Sequence, residues 1–272
     1  MARVRRTSVA GRWYPDDPVQ LAADLDAMLA SADVDPMPSL RAIVAPHAGL
    51  MYSGPVAAYG YKAARTHRVS AVVLVGPSHF VSFAGVSIWA DGEWDTPFGP
   101  VAVDRDLAEA LRSSSDEITE LPAAHGREHS IEMQMPFVAH LMPGVPIVPM
   151  VMGHQTRATA FALGASLARA ARARADVLFV ASSDLSHYED AATAARLDAV
   201  ILERVEALDA EGLMQALEAE PRHACGGGPM VAVIDAARLL GASAARVLRY
   251  ADSGDVSGDK SSVVGYMAAA IG

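Results

Sequence analysis

The sequence predicts an α/β fold in one domain, with a central, largely parallel or mixed sheet held between layers of helix. Three observations carry this reading. Arg41–Ala45, Ala71–Val75 and Asp176–Ala181 are short apolar runs, the pattern of strands buried on both faces. Helical stretches separate them, as parallel strands require. Each run also breaks off into a polar segment that carries a histidine: Pro46-His47-Ala48-Gly49, Gly76-Pro77-Ser78-His79 and Ser182-Ser183-Asp184-Leu185-Ser186-His187. No linker is long or polar enough to divide the chain and no repeat is present, so residues 1–272 read as a single domain.

Taken in order, Asp17 is the N-cap and Pro18 the first residue of a helix. Leu21, Leu25, Met28 and Leu29 fall on its inner face. Asp33–Ser39 is a Pro-containing linker into the first strand. Ser53-Gly54-Pro55 starts a second helix that runs to about Thr66, completing a βαβ unit. Gly85–Trp89 is a further strand and Asp95–Pro100 a turn-rich connection. Asp104 caps a helix that ends near the serines at 113–115. His129–Met142 reads as a helix bent or broken at Pro136. Val145–Met152 is a strand and Thr156–Arg174 a helix. Helices over Ala191–Ala207 and Asp209–Glu218 follow the third His-bearing strand. Gly226-Gly227-Gly228-Pro229 leads into another helix, and strands near Val247 and Val263 end the chain.

Composition narrows the function. Half of the residues are apolar, so a core is available. No run of 18 apolar residues is free of charge, which predicts no membrane span. The basic start, Met1–Arg12, lacks an apolar segment behind it and does not read as a secretory signal. A net charge of -10 would repel the phosphates of nucleic acid. One cysteine, Cys225, allows no intramolecular disulfide. A cytoplasmic setting is therefore expected.

Open α/β sheets bind ligands beyond the carboxyl ends of their strands, so the His-bearing segments predict one shared pocket. An isolated histidine commonly bonds a neighbouring backbone group and nothing more. His47 and His79 occupy equivalent places in successive βα units, which favours metal ligation. Cys225 precedes a glycine run and a helix whose dipole would lower the thiol pKa; a small buried hydrophobe is the plainer alternative. Asp184 lies three residues before His187, close enough to orient its ring as a general base, although Asp184 would also serve as a helix cap. In His125–Met133 the Glu128 position does not fit a metalloprotease helix. There His129 and Glu132 would back the ligands or touch substrate, and a capping box around Ser130 is equally good. Ser253–Ser262 looks superficially like a phosphate loop, but its glycine spacing is short and two aspartates would repel phosphate. It reads as a tight loop bordering the pocket.

The strings VAGRWYP, APHAGLMYSGPVAAYGYK, GPSH, TPFGPVAVD, REHSIEMQMPF, SSDLSHY, CGGGP and SGDVSGDKSSVVGY run from residue 9 to 266. Together they resemble the Memo family, named for a mediator of receptor-driven cell motility, whose bacterial and archaeal members are labelled AmmeMemoRadiSam system protein B. That family is similar in fold to the class III extradiol (LigB-type) dioxygenases. The resemblance implies a metal site of His47, His79 and Cys225, with His187 and Asp184 as the catalytic pair. Ser78 and Tyr52 join His129 and Glu132 as residues behind the ligands or against substrate. Fe(II) is the implied metal, with copper or zinc as alternatives. A thiolate in place of the dioxygenase carboxylate alters redox behaviour, so catechol cleavage does not follow. The expected function is redox or dioxygenase-like chemistry on a small molecule. Family links to phosphotyrosine-peptide recognition imply an alternative, a peptide-binding or protein-binding module that reuses the pocket. A metal-free hydrolase with Cys225 as nucleophile and His187 as base is a third reading. Expected partners are a small molecule or peptide, without nucleic acid or membrane, and a homo-oligomer is compatible with all three readings.

Overall fold

The apolar runs are strands of one nine-stranded sheet in the computed structural model, which describes residues 3–172, 174 and 176–272. Met1 and Ala2 of the basic start, and position 173 in the expected tail of the Thr156 helix, lie outside the described residues. From one edge the order is His187–Glu189, Val263–Ile271, Ala42–Ala45, Val177–Ser182, Ala71–Pro77, Ile147–Met152, Val86–Ile88 and Ile118–Thr119, with Ala245–Asp252 paired along Val263–Ile271. The four middle strands, Ala42–Ala45 to Ile147–Met152, are parallel. Val263–Ile271 and Val86–Ile88 flank them antiparallel. The sheet is thus mixed around a parallel centre.

Every residue of those four strands is buried, because helices cover both faces. Ile43, Val72, Leu74 and Val180 pack with Leu21, Leu25 and Tyr61 of the helices Pro18–Ser31 and Leu50–Arg65. Val44, Val73, Val75 and Phe179 pack on the other side with Leu163, Leu167, Met230 and Val233 of Arg157–Ala171 and Gly227–Leu239. Alternate residues of one strand thus enter different cores. The Val177–Ser182 strand lies between Ala42–Ala45 and Ala71–Pro77. The three His-bearing segments therefore leave neighbouring strands at the same end of the sheet.

Caps at Asp17 and Asp104 accept backbone N–H groups as the sequence implies, and Thr156, expected as the first residue of its helix, is the cap of Arg157–Ala171. Three other helix starts differ from expectation. The second helix begins at Leu50, with Gly49 as its cap, and holds Pro55 inside. Leu50 N donates to Trp13 O and Ser53 N to Gly49 O, so the turn is made before Pro55, which forfeits a single helical bond. The expected helix over His129–Met142 is a 3₁₀ turn, Glu132–Gln134, followed by an α-helix over Met135–Leu141. Pro136 lies in the first turn of that helix, where its missing N–H costs nothing, and so it starts the helix instead of bending it. The glycine-rich helix starts at Gly227, ahead of Pro229.

The N-terminal segment is strapped to the body. Val4–Arg5 pairs with Glu93–Trp94 in a small three-stranded sheet completed by Val101–Ala102. Arg5 is buried; its Nε donates to His125 O at 3.0 Å and its Nη2 to Glu128 O at 2.6 Å. Its Nη1 pairs with the Glu132 carboxylate. That carboxylate also accepts from Ser8 N and Val9 N, both at 2.8 Å, and from the Tyr14 hydroxyl at 3.0 Å. Removing one partner strands the other charge in a dry interior. Glu132→Ala is expected to cost about 3–5 kcal/mol in denaturant-induced unfolding; a loss of well under about 1 kcal/mol, the worth of an exposed pair, would show that the strap is held otherwise.

Candidate metal centre

His47, His79 and His129 offer ring nitrogens that all lie within 4.8 Å of one another. His47 comes from the end of the Ala42–Ala45 strand and His79 from beyond Ala71–Pro77. His129 arrives on the irregular segment before the 3₁₀ turn. Its ring stacks on His79 with centroids 4.4 Å apart and lies 4.6 Å from Trp13. The Cys225 sulfur stands beside this set, 3.2 Å from His47 Nε2. The group that could hold an ion thus includes His129, expected behind the ligands, and not Cys225, expected as a ligand, although the sulfur's distance to His47 is close to the roughly 3.5 Å between a nitrogen and a sulfur on one tetrahedral ion.

Hydrogen bonding dictates which nitrogens are available. Ser182 Oγ lies 2.6 Å from Ser130 O, which can only accept, so the hydroxyl proton goes there. Gln134 Nε2 donates to the same Oγ at 2.8 Å and to Pro46 O at 3.0 Å, while its Oε1 accepts from the Tyr61 hydroxyl at 2.9 Å. The remaining contact, His47 Nδ1 at 2.9 Å, must then be a donor. His47 Nε2 keeps its lone pair. His79 Nδ1 donates to Glu128 Oε1 at 2.8 Å, and its backbone N–H to Oε2 at 2.6 Å, so its Nε2 is also free to ligate. His129 Nδ1 is 3.6 Å from Glu128 Oε1, a looser contact. One buried carboxylate thus backs the His79 imidazole, an arrangement that orients a metal ligand and raises its basicity.

Burial favours the neutral form of two of the rings, His47 and His129. Burial, then the charge of His79, keeps the His47 pKa well below its usual value. Burial, then His47 and His79, brings His129 down to about 4. Burial pushes Glu128 up, but the His79 ring and the backbone N–H groups of His79 and Ser130 outweigh it and hold the carboxyl at about 2. Neutral imidazoles are the ligating form. Three borderline nitrogens and a nearby sulfur fit Fe, Cu or Zn and do not fit Mg or Ca, which take oxygen.

The remaining candidates are placed as follows. Asp184 is buried and its Oδ1 accepts from His47 N at 2.7 Å and Ala48 N at 3.3 Å, tying the His47 loop to the Asp184 segment. Burial pushes its pKa up. His187, half-buried, begins the edge strand, and its Nδ1 donates to Leu185 O at 2.8 Å. A backbone carbonyl therefore sets its tautomer, where the sequence suggested the Asp184 carboxylate. Burial, then the Asp184 charge, raises the Cys225 thiol pKa, opposite to the lowering expected from the helix dipole. Ser78 Oγ donates to Val81 O at 2.7 Å and shapes the turn that carries His79. Glu132 fastens the N-terminal strap that carries Trp13. Tyr52 lines a cavity of about 410 Å³ with Met28, Tyr59 and Val256. The Asp252 and Asp255 carboxylates at that cavity are both bound by Lys260, at 2.8 and 2.7 Å. The segment over 253–262 thus holds one helical turn, Gly254–Ser257, closed by Gly258 at φ 79°.

Sequence reasoning missed Glu128, Ser182, Gln134 and Ser130 as supports of the rings. A serine ending the apolar strand Val177–Ser182 and a glutamate set between residues 127 and 129 were the available signals. His125 is apart from the imidazole group, buried between Trp89 and Trp94 with ring centroids at 5.7 and 6.1 Å.

A family model described as a Memo-like protein matches residues 5–270. The chain is 38% identical over 272 residues to a MEMO1 family protein of Methanothermobacter thermautotrophicus, covering 97% of this chain and 98% of that one. It is 38% identical over 283 residues to a MEMO1 family protein of Sulfolobus acidocaldarius, covering 99% of each. Among solved structures, an uncharacterized protein of Escherichia coli K12 aligns with TM-score 0.55 over 84% of this chain and 99% of its own. At 19% identity that likeness is one of fold.

Two tests follow from the geometry. Glu128→Gln is expected to weaken metal binding about 10–100-fold in a competition titration against a chromophoric chelator; equal affinity would mean that His79 is oriented without the carboxylate. Burial, then the charges of Arg5 and Arg3, lowers His125 to about 3, against about 6.5 in the unfolded chain. The unfolded chain therefore takes up this proton first, and stability present above pH about 6.5 is lost as pH falls towards about 3. His125→Leu should remove up to about 1.4 kcal/mol per pH unit from that slope between pH 6 and 4. An unchanged slope would place the titration on other groups.

Proposed function

The chain belongs to the Memo-like family, and from that premise and its three converging imidazoles we propose a metal-binding protein that performs redox chemistry of the dioxygenase-like kind on a small molecule. The observation that carries the reading is the set of lone pairs on His47, His79 and His129, each on a ring kept neutral or backed by a committed donor. Cys225 joins them as the sulfur ligand. Fe(II) is the favoured metal, with copper or zinc as alternatives on the same donors. When bound, such a metal supplies electron-transfer and oxygen chemistry. The chain's own residues do the rest. His47 and His79 hold their orientation through Ser182 and Glu128. Asp184 locks the His47 loop. His187 keeps its Nδ1 proton on Leu185 O and handles the substrate proton at Nε2.

A second reading, a peptide-binding or protein-binding module, draws support from the large side chains exposed beside these residues. Trp13, Met51, Phe80 and Tyr188 are 38%, 63%, 49% and 78% exposed, and each is close in sequence or space to His129, His47, His79 or His187. A metal-free Cys-His hydrolase has less support. Burial disfavours a Cys225 thiolate, and the imidazole bonded to the sulfur is His47.

Anaerobic purification and elemental analysis should find about one transition-metal ion per chain. Cys225→Ser should bind that metal more weakly. His187→Ala should keep it and lower turnover about 10²–10⁴-fold, the usual worth of a general base. Loss of metal in the His187 variant would move it among the ligands. Ester hydrolysis that survives chelation but ends on alkylating Cys225 would overturn the redox reading.

A further inference from the structure

Asp198 is a fully buried carboxylate on the helix Ala191–Glu206, and nothing in the metal centre uses it. Its Oδ1 accepts from Ser186 N at 2.9 Å and its Oδ2 from the Tyr250 hydroxyl at 2.8 Å. Gly265 makes room for it, since a Cβ at that position would stand 2.0 Å from Asp198 Oδ2. The backbone of Gly265 also grips the same segment: its N–H donates to Ser186 O at 2.9 Å, and its carbonyl accepts from Leu185 N at 2.8 Å. Leu185 O, on the next peptide, is the acceptor that sets the His187 ring. Burying a carboxylate is expensive, and an apolar side chain would fill the space at less cost. What an apolar residue lacks is an acceptor for the Ser186 amide, a charge-assisted bond that fixes one peptide plane.

The segment it holds is under backbone strain. Tyr188, directly after His187, has φ 63°, a left-handed conformation unfavourable for a residue with a side chain. The pairing of His187–Glu189 with Val263 and Val264 shifts register at that point. Such a turn keeps one geometry only if its neighbours over-determine it.

We propose that Asp198 is the positioning residue for His187: through the Ser186 amide, with Tyr250 and Gly265 as supports, it holds the Leu185 carbonyl where that carbonyl keeps the His187 ring in its Nδ1–H tautomer. The proposal rests on His187 as the proton-handling group, but its test reads the ring and needs no turnover.

The experiment is nitrogen-15 NMR of the histidine rings in the full chain, with zinc added as a diamagnetic ion. Wild type should show His187 as the Nδ1–H tautomer. Asp198→Ala should give the averaged shifts of two exchanging tautomers at His187 while His47, held by Ser182, is unmoved. Asp198→Asn, which keeps an oxygen for Ser186 N, should restore the single tautomer. Gly265→Ala, which displaces the carboxylate without removing it, should act like Asp198→Ala. Unchanged His187 shifts in folded Asp198→Ala, or equal shifts in the Asn and Ala variants, would overturn the proposal. If Asp198→Ala and Gly265→Ala do not fold, wild-type amide exchange decides: a Ser186 N–H protected as strongly as the central strands supports it, and rapid exchange overturns it. A shifted tautomer in a protein without turnover would leave the positioning intact and remove the catalytic reading of His187.

Discussion

Three imidazoles can serve one ion only if each points a lone pair at it, and a ring does so reliably when its other nitrogen is committed as a donor. The rest of the site follows from that constraint. His47 donates to a serine whose own proton is already taken by Ser130 O, and a glutamine held by Tyr61 and Pro46 closes the arrangement. His79 donates to a carboxylate that remains ionised although buried. These are polar groups in a dry interior, where each unpaired one would be costly. The network is therefore close to all-or-none, and it fixes ring orientation more tightly than packing alone would.

The fold supplies the place for this chemistry. Because the Val177–Ser182 strand inserts between the two strands that carry His47 and His79, Ser182 ends up beside His47 and Asp184 reaches the His47 and Ala48 amides. Four parallel strands buried on both faces give a rigid platform, and their loops inherit that rigidity. The opposite wall depends on the N-terminal strap. Arg5 and Glu132 hold it, and it brings Trp13 against His129.

Charge is handled in two ways around the centre. Carboxylates close to the imidazoles are tied to other groups: both oxygens of Glu128 and of Glu132 accept hydrogen bonds, and Asp184 Oδ1 accepts from the His47 and Ala48 amides. The group that could hold an ion is made of ring nitrogens, with the Cys225 sulfur 3.2 Å from His47 Nε2. Further out, Lys260 binds Asp252 and Asp255 and Asp198 holds the His187 segment.

Much of this was legible in the sequence. Buried β-rich runs that end in His47, His79 and Ser182–His187 announced parallel strands and a shared ligand end, because burial on both faces leaves a continuous apolar signature. Asp17 and Asp104 marked their helices, since a cap is a local interaction between residues three apart. What could not be read were contacts between distant segments. Glu128 looked misplaced between two histidines because its partner is His79, 49 residues away. Pro136 looked like a break, although in three dimensions it begins the helix. His187 looked paired with Asp184, its neighbour in sequence, yet its ring is set by Leu185 O and that peptide by Gly265 and Asp198. Local patterning determines elements because its partners lie within a turn or a strand. Ring tautomers and ligand convergence belong to the tertiary structure, because hydrogen bonds between elements are created only when the elements pack.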